Sequence, residues 1–254
     1  MDMVESTVEL AGRVSAGCHD LNIFLHGGYE KDIITTVFGP PGSGKTNVCM
    51  LAVASQVKKG NKVIFIDTEG GFSVDRMKQI LGGKEDLERA LKNVLLLKPI
   101  SFEGQYEVFE RLLKELKSSG NIGLIVIDSM VMLYRLAFGE ASQTKDFEQV
   151  KAVNSELARQ LRILAEISRS RNIPVLVTNQ VYGEFLSREE LEKGKEKVMH
   201  MVGGDLLKYW SKCILELTHT RGKRSIFIRK HRSLGEKNMD FIIVDEGFKR
   251  RGWL

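Results

Sequence analysis

Gly39-Pro40-Pro41-Gly42-Ser43-Gly44-Lys45-Thr46 is the stretch of this sequence whose residue types and spacing can do the most chemistry. It matches G-x-x-x-x-G-K-[ST] in full. The glycines let the backbone curl until successive N–H groups point inward at one anion. A helix beginning near Lys45 would add the positive end of its dipole. In such a loop the lysine reaches the β- and γ-phosphates of ATP and the hydroxyl of Thr46 meets Mg²⁺. An apolar strand before the motif and an amphipathic helix after it are the context this chemistry needs.

Three further groups can complete that chemistry. Leu124-Ile125-Val126-Ile127 carries Asp128 to the C-terminal edge of a sheet, where open α/β sheets bind ligands. Asp128 is there expected to hold the Mg²⁺ shell through water. Phe65-Ile66-Asp67-Thr68-Glu69-Gly70-Gly71-Phe72 places a carboxylate, Glu69, just past another strand end, where it can orient an attacking water. Val177-Thr178-Asn179-Gln180-Val181 ends a third strand in an amide. Gln180 is read as a sensor of the γ-phosphate, able to pass its loss to the segment that follows.

The elements that must position these groups can be read from periodicity. Apolar runs at 33–38, 62–67, 94–98, 124–128 and 175–178 predict parallel strands buried on both faces. Helices are predicted over 45–58, stopped by Gly60; over 102–118, capped by Ser101; and over 146–171, before Pro174. After residue 211 the texture shifts to short strands at 212–218, 224–229 and 239–244, predicting antiparallel hairpins at a sheet edge. The expected fold is thus α/β: a mostly parallel twisted sheet with helices on both faces and antiparallel C-terminal edge strands. One domain spanning 1–254 is expected, with residues 1–30 as a lead-in and 212–254 as edge hairpins and basic tail. Residues 182–202 are read as a mobile connection, polar and mixed in charge, with a short charged helix an open alternative.

Composition narrows the class. The chain has 254 residues, 43% apolar and 28% charged, and its three cysteines lie far apart. That pattern fits reduced thiols in the cytoplasm and speaks against a disulfide framework or metal knuckle. No apolar run approaches the ~18 residues of a membrane span. The formal charge is +5. Residues 221–254 hold ten Lys or Arg against four acids, so this tail carries +6 and the rest of the chain −1. Such asymmetry points to a polyanionic partner met by the C-terminal part, the plainer alternative being a solvated basic face.

The four chemical elements in this order, with Thr68-Glu69-Gly70-Gly71-Phe72-x-x-x-Arg76 and Thr178-Asn179-Gln180-Val181, resemble the RecA/RadA recombinase superfamily. The likeness is greatest to the short archaeal paralogues of RadA. It begins at Ser15-Ala16-Gly17-Cys18-His19-Asp20-Leu21, continues to Gly27-Gly28, and runs through Arg229-Lys230-His231-Arg232. The resemblance implies ATP at Gly39, Pro40, Pro41, Gly42, Ser43, Gly44, Lys45 and Thr46. It implies Mg²⁺ at Thr46 and Asp128, water activation at Glu69, and Arg76 against the adenine. It also implies two DNA-facing loops, one after Asp128 that includes Tyr134 and Arg135, and one after Gln180. Lys230 and Arg232 resemble a K-x-R element that reaches a neighbouring subunit's nucleotide; contact with DNA is the alternative.

By this resemblance the protein would be an ATP-dependent DNA-binding accessory of homologous recombination and repair, hydrolysing ATP weakly. Its partners would be DNA, single-stranded or branched, and the main RadA-type recombinase, with a homo-oligomer left open. The cradle begins at residue 39 and no F-x-x-A motif precedes it, so neither an N-terminal helical DNA-binding domain nor RadA-style polymerisation is expected. Three alternatives stand beside this reading. They are a DNA-stimulated recombinase or motor, a P-loop ATPase without a DNA role, and a P-loop kinase of small molecules.

Overall fold

The structure, a computed structural model, describes residues 12–144, 146–183 and 199–252. A small antiparallel pair, β1 (Arg13–Val14) and β2 (Tyr29–Glu30), brackets α1 (His19–Phe24). The central part runs β3 (Ile34–Phe38), α2 (Lys45–Lys58), β4 (Lys62–Asp67), α3 (Val74–Leu81), α4 (Lys84–Leu91) and β5 (Val94–Leu97). It continues through α5 (Phe102–Ser118), β6 (Ile122–Asp128), α6 (Met132–Gln143), α7 (Phe147–Arg171) and β7 (Val175–Asn179). The C-terminal part holds β8 (Val181–Gly183), β9 (Met199–Met201), α8 (Gly204–Trp210), β10 (Ser211–Thr220), β11 (Lys223–Lys230), β12 (Asn238–Val244) and β13 (Gly247–Arg250).

Nine strands form one sheet in the order β13-β12-β11-β10-β3-β7-β6-β4-β5. From β10 to β5 every neighbouring pair is parallel, whereas β11, β12 and β13 add antiparallel at one edge. Both faces of the parallel part are covered, which explains its unbroken apolar strands. Alternation sorts them between two cores: Val63, Phe65, Leu124 and Val126 enter one, and Ile64, Ile66, Ile125 and Ile127 the other. Each of these fully buried side chains contributes about 1.5–3 kcal/mol.

Helix ends follow local chemistry. Ser101 Oγ accepts from Gly104 N at 3.0 Å, as predicted, and Asp146 Oδ1 caps α7 by accepting from Glu148 N at 2.9 Å. Asn172, at φ 53°, closes the 25-residue α7 in the left-handed region.

One expectation needs correction, that for Tyr134 and Arg135, and two further regions gain structural detail. The lead-in is built into the core: Val14, Ala16, Leu21, Phe24, Leu25 and Tyr29 are all buried there. Tyr134 and Arg135 lie on α6 and not in a loop. Tyr134 is buried, its hydroxyl donating to Asn154 Oδ1 at 2.8 Å, so it faces the core and not DNA; Arg135 is exposed. The segment after Gln180 opens and closes as a ribbon, β8 pairing with β9, and leads into α8; residues 184–198 of the expected mobile connection lie outside the described residues.

Candidate nucleotide site

The glycine loop joins the end of β3 to the start of α2, at the C-terminal edge of the parallel strands. Its curl depends on positive φ at Gly39 (156°), Gly42 (71°) and Gly44 (108°). At Gly39 the need is also one of space, since a Cβ there would lie 2.2 Å from Leu217 O on β10. Beneath the loop, Ile243 and Phe248 of the edge hairpin come within 3.3 Å of where a Gly44 side chain would begin.

Lys45 turns into the loop, its amine donating to Gly39 O at 2.9 Å and Pro40 O at 3.0 Å. Burial pushes this amine below the ordinary lysine range, while the charges of Glu69 and Asp128 pull it back up. Opposite stands Asp128, 2% exposed, accepting from Thr46 Oγ1 at 2.7 Å on one oxygen and from Thr178 Oγ1 on the other. Burial raises the Asp128 carboxyl, and the two hydroxyls work against that rise. The sequence reading singled out Gln180 in Thr178-Asn179-Gln180 and missed Thr178, whose hydroxyl holds the acid.

β4 and β6 run in register, with Asp67 beside Asp128. These neighbouring carboxylates have different tasks. Asp67 is buried and accepts from Gly71 N at 3.0 Å and Phe72 N at 3.1 Å, which bends the Thr68–Phe72 turn over the sheet edge. Thr68 ties the same turn to Ser129, accepting from its N–H at 2.9 Å and donating to its carbonyl at 2.8 Å. Glu69 is thereby carried to the edge, where Gln180 Nε2 donates to its Oε1 at 2.9 Å. Asn179 anchors the strand end by donating to Val202 O at 2.8 Å.

Arg76 begins from a firm base, since its N–H is capped by Ser73 Oγ at 3.1 Å. Its guanidinium donates to Asn47 Oδ1 at 2.7 Å, Gln79 Oε1 at 2.9 Å, Val244 O at 2.8 Å and Asp245 O at 3.1 Å. It thus sits between the first turn of α2 and the β12–β13 turn. Arg224, which the sequence reading passed over, donates to Gly42 O at 3.2 and 3.3 Å and braces the loop from outside.

Neither K-x-R residue hydrogen-bonds the glycine loop among the described residues. Lys230 Nζ donates to Lys208 O at 2.6 Å, at the wall of a cleft of about 790 Å³ beside Phe38, Tyr182 and Glu216. Arg232 makes a two-pronged pair with Asp32 at 2.6 and 2.8 Å and also meets Glu30 at 3.0 Å. In this chain Arg232 is therefore held by its own carboxylates.

The cradle suits a magnesium nucleotide on its own chemistry. Ser43 Oγ is buried inside the loop without a hydrogen-bond partner, and a desolvated amine faces a hydroxyl–carboxylate pair. Magnesium is commonly held by one or two side-chain oxygens together with phosphate oxygens, which Thr46 and Asp128 would match.

The fold and this site together define a RecA-like P-loop protein. The Rad51 family profile matches residues 9–251. A "DNA repair and recombination protein RadB" of Methanobrevibacter smithii is 38% identical over 227 residues, 88% of this chain and 90% of its own. Its counterpart in Methanocaldococcus jannaschii is 35% identical over 229 residues, 90% and 98% of the two chains. A solved RadB recombinase structure is similar with a TM-score of 0.70 and 32% identity, over 92% of this chain and 98% of that one. This chain belongs to the Rad51 family.

Proposed function

We propose that this protein binds ATP with Mg²⁺ at the cradle and uses slow hydrolysis to gate DNA binding, as an accessory of homologous recombination and repair. The observation that carries the reading is the Thr46–Asp128 hydrogen bond of 2.7 Å. It joins a hydroxyl and a buried carboxylate at the sheet edge beside the loop that carries Lys45. Loop N–H groups and Lys45 would grip the β- and γ-phosphates. Thr46, and Asp128 through water, would hold Mg²⁺, whose contribution there would be to offset phosphate charge. Glu69 would orient the attacking water, and Gln180, now bonded to Glu69, would exchange that contact for the γ-phosphate. Arg76 would flank the adenine from its place between α2 and the β12–β13 turn.

The DNA role is supported by the +6 charge of residues 221–254 and by the names of the relatives. Arg135 and Lys230 are assigned to DNA, with Lys230 alternatively reaching a second copy's nucleotide. Arg232 would join either role only by leaving Asp32 and Glu30. The partners so inferred are single-stranded or branched DNA and the main RadA-type recombinase, in the cytoplasm. The test is ATPase turnover with and without single-stranded DNA at two protein concentrations, with DNA affinity followed against salt. The reading expects slow turnover, little DNA stimulation and a steep loss of affinity with salt. A many-fold rise on adding DNA would favour an active motor, and a salt-independent affinity would remove backbone contact.

A further inference from the structure

At the end of β3 away from the glycine loop lies a second, smaller pocket of about 200 Å³. One wall is apolar, formed by the buried Ile33, Ile34 and Ala165 with the half-buried Trp210. The rim is cationic: Arg169 from the last turn of α7, Lys212 from β10, and Arg232. Its single acid, Asp32, is already taken in the two-pronged pair with Arg232. Arg169 and Lys212 form no ion pair with any described residue, and the nearby amine of Lys230 is depressed by burial first and by the charge of Lys212 second. Tyr209, 71% exposed, stands edge-on to Trp210 with ring centres 5.3 Å apart.

We propose that this pocket docks an acidic, apolar-flanked peptide segment of a partner protein. A carboxylate of the segment takes the cations of the rim, and its neighbouring apolar side chain packs against Trp210 and Ile33. Three observations choose this occupant. Asp32 shows that the rim reads a planar carboxylate in fork geometry, the arrangement for which arginine is best shaped. The combination of exposed tyrosine, tryptophan and arginines is the composition of interface hot spots. The volume holds one side chain, whereas pockets for nucleotide-sized ligands run to roughly 300–1,000 Å³. A phosphodiester would also leave the apolar wall unfilled.

Asp32 then acts as a resident competitor that an incoming carboxylate displaces from Arg232. The site is independent of the nucleotide cradle, which lies across about 13 Å of β3.

The experiment titrates the full chain with a synthetic amidated peptide alternating glutamate with phenylalanine and leucine, reading tryptophan emission and heat. A matched peptide with glutamine for glutamate is run in parallel, and oligothymidylate is the competitor. Saturable binding of the glutamate peptide is expected, with the glutamine peptide at least about tenfold weaker, as loss of a charge-assisted contact implies. Arg169→Ala with Lys212→Ala should weaken binding by a similar factor while melting stays unchanged, both side chains being unpaired. Asp32→Asn should tighten it severalfold. Equal binding of the two peptides, indifference to the paired alanines, no tightening in Asp32→Asn, or displacement by oligothymidylate would each overturn the proposal.

Discussion

Gln180 Nε2 donates to Glu69 Oε1 across 2.9 Å, joining the end of β7 to the turn after β4 although 111 positions separate them in the chain. The amide holds the carboxylate at the sheet edge where a γ-phosphate and its attacking water would stand. Glu69→Gln should therefore keep nucleotide affinity and lower hydrolysis by ~10²–10⁴-fold, the usual worth of a general base. Gln180→Ala should also keep binding while slowing turnover, because Glu69 loses its only positioning partner among the described residues. Steady-state turnover beside equilibrium binding of a labelled nucleotide checks both, and full activity in Glu69→Gln would remove its assigned role.

Lys45→Ala separates folding from ligand chemistry. Its amine bonds two carbonyls of the loop itself and no group of the core, and burial already works against its charge. The variant should melt close to the parent and bind no ATP. Thermal melting with and without magnesium nucleotide gives the answer, since only a protein that binds is stabilised by the ligand. A variant that still gains stability from ATP would place the phosphate elsewhere.

Gly39→Ala should fail for a different reason. The new methyl would meet Leu217 O at 2.2 Å in a backbone at φ 156°, so the loop must move away from β10. A destabilisation of about 1–3 kcal/mol is expected, together with loss of nucleotide affinity. Gly82→Ala serves as the comparison: its φ is also positive, at 84°, yet no atom lies near, so it should keep affinity. Denaturant melts and nucleotide titrations of the two variants distinguish loop packing from backbone conformation alone.

Cys213 makes stability fall in alkali. Burial raises its thiol from the ordinary 9.0 to about 12, with the hydroxyl of Thr35 opposing. Above pH 9 the unfolded chain releases this proton and the folded one retains it, so the unfolded state binds fewer protons and stability decreases with pH. The window runs from about 9 to about 12, and the loss approaches ~1.4 kcal/mol per pH unit there. Denaturant melts of the parent and Cys213→Ala between pH 8 and pH 11, which span about two-thirds of that window, should show a flatter decline in the variant. Parallel declines would mean the thiol ionises in the folded state.

Much of the scaffold was legible because its signals are local. The strand Lys62–Asp67 and the helices Lys45–Lys58 and Phe102–Ser118 begin and end where apolar period, caps and glycine stops place them. β13 escaped because Gly247–Arg250 is only four residues long and half charged. Its identity as a strand comes from pairing with β12 and from Phe248 stacking on Phe241 at 4.2 Å. Tyr134 was misplaced because position in a motif says nothing of burial. Its ring packs edge-on to Phe102, 32 positions earlier in the numbering, and its hydroxyl finds Asn154.

The curl of the glycine loop was set by eight consecutive residues, since glycine torsions and a helix start are properties of the local chain. The apolar strands likewise announced a sheet covered on both faces. Tertiary structure alone decided who shares Asp128, for Thr46 and Thr178 stand 82 and 50 positions away and meet only when β3, β6 and β7 align. It also decided that Arg76 spans to Val244, that Arg224 braces Gly42, and that Arg232 is kept by Asp32. The reason is range: backbone conformation is chosen within a few residues, whereas a side chain's charge is claimed by whichever partner the fold brings within hydrogen-bond distance.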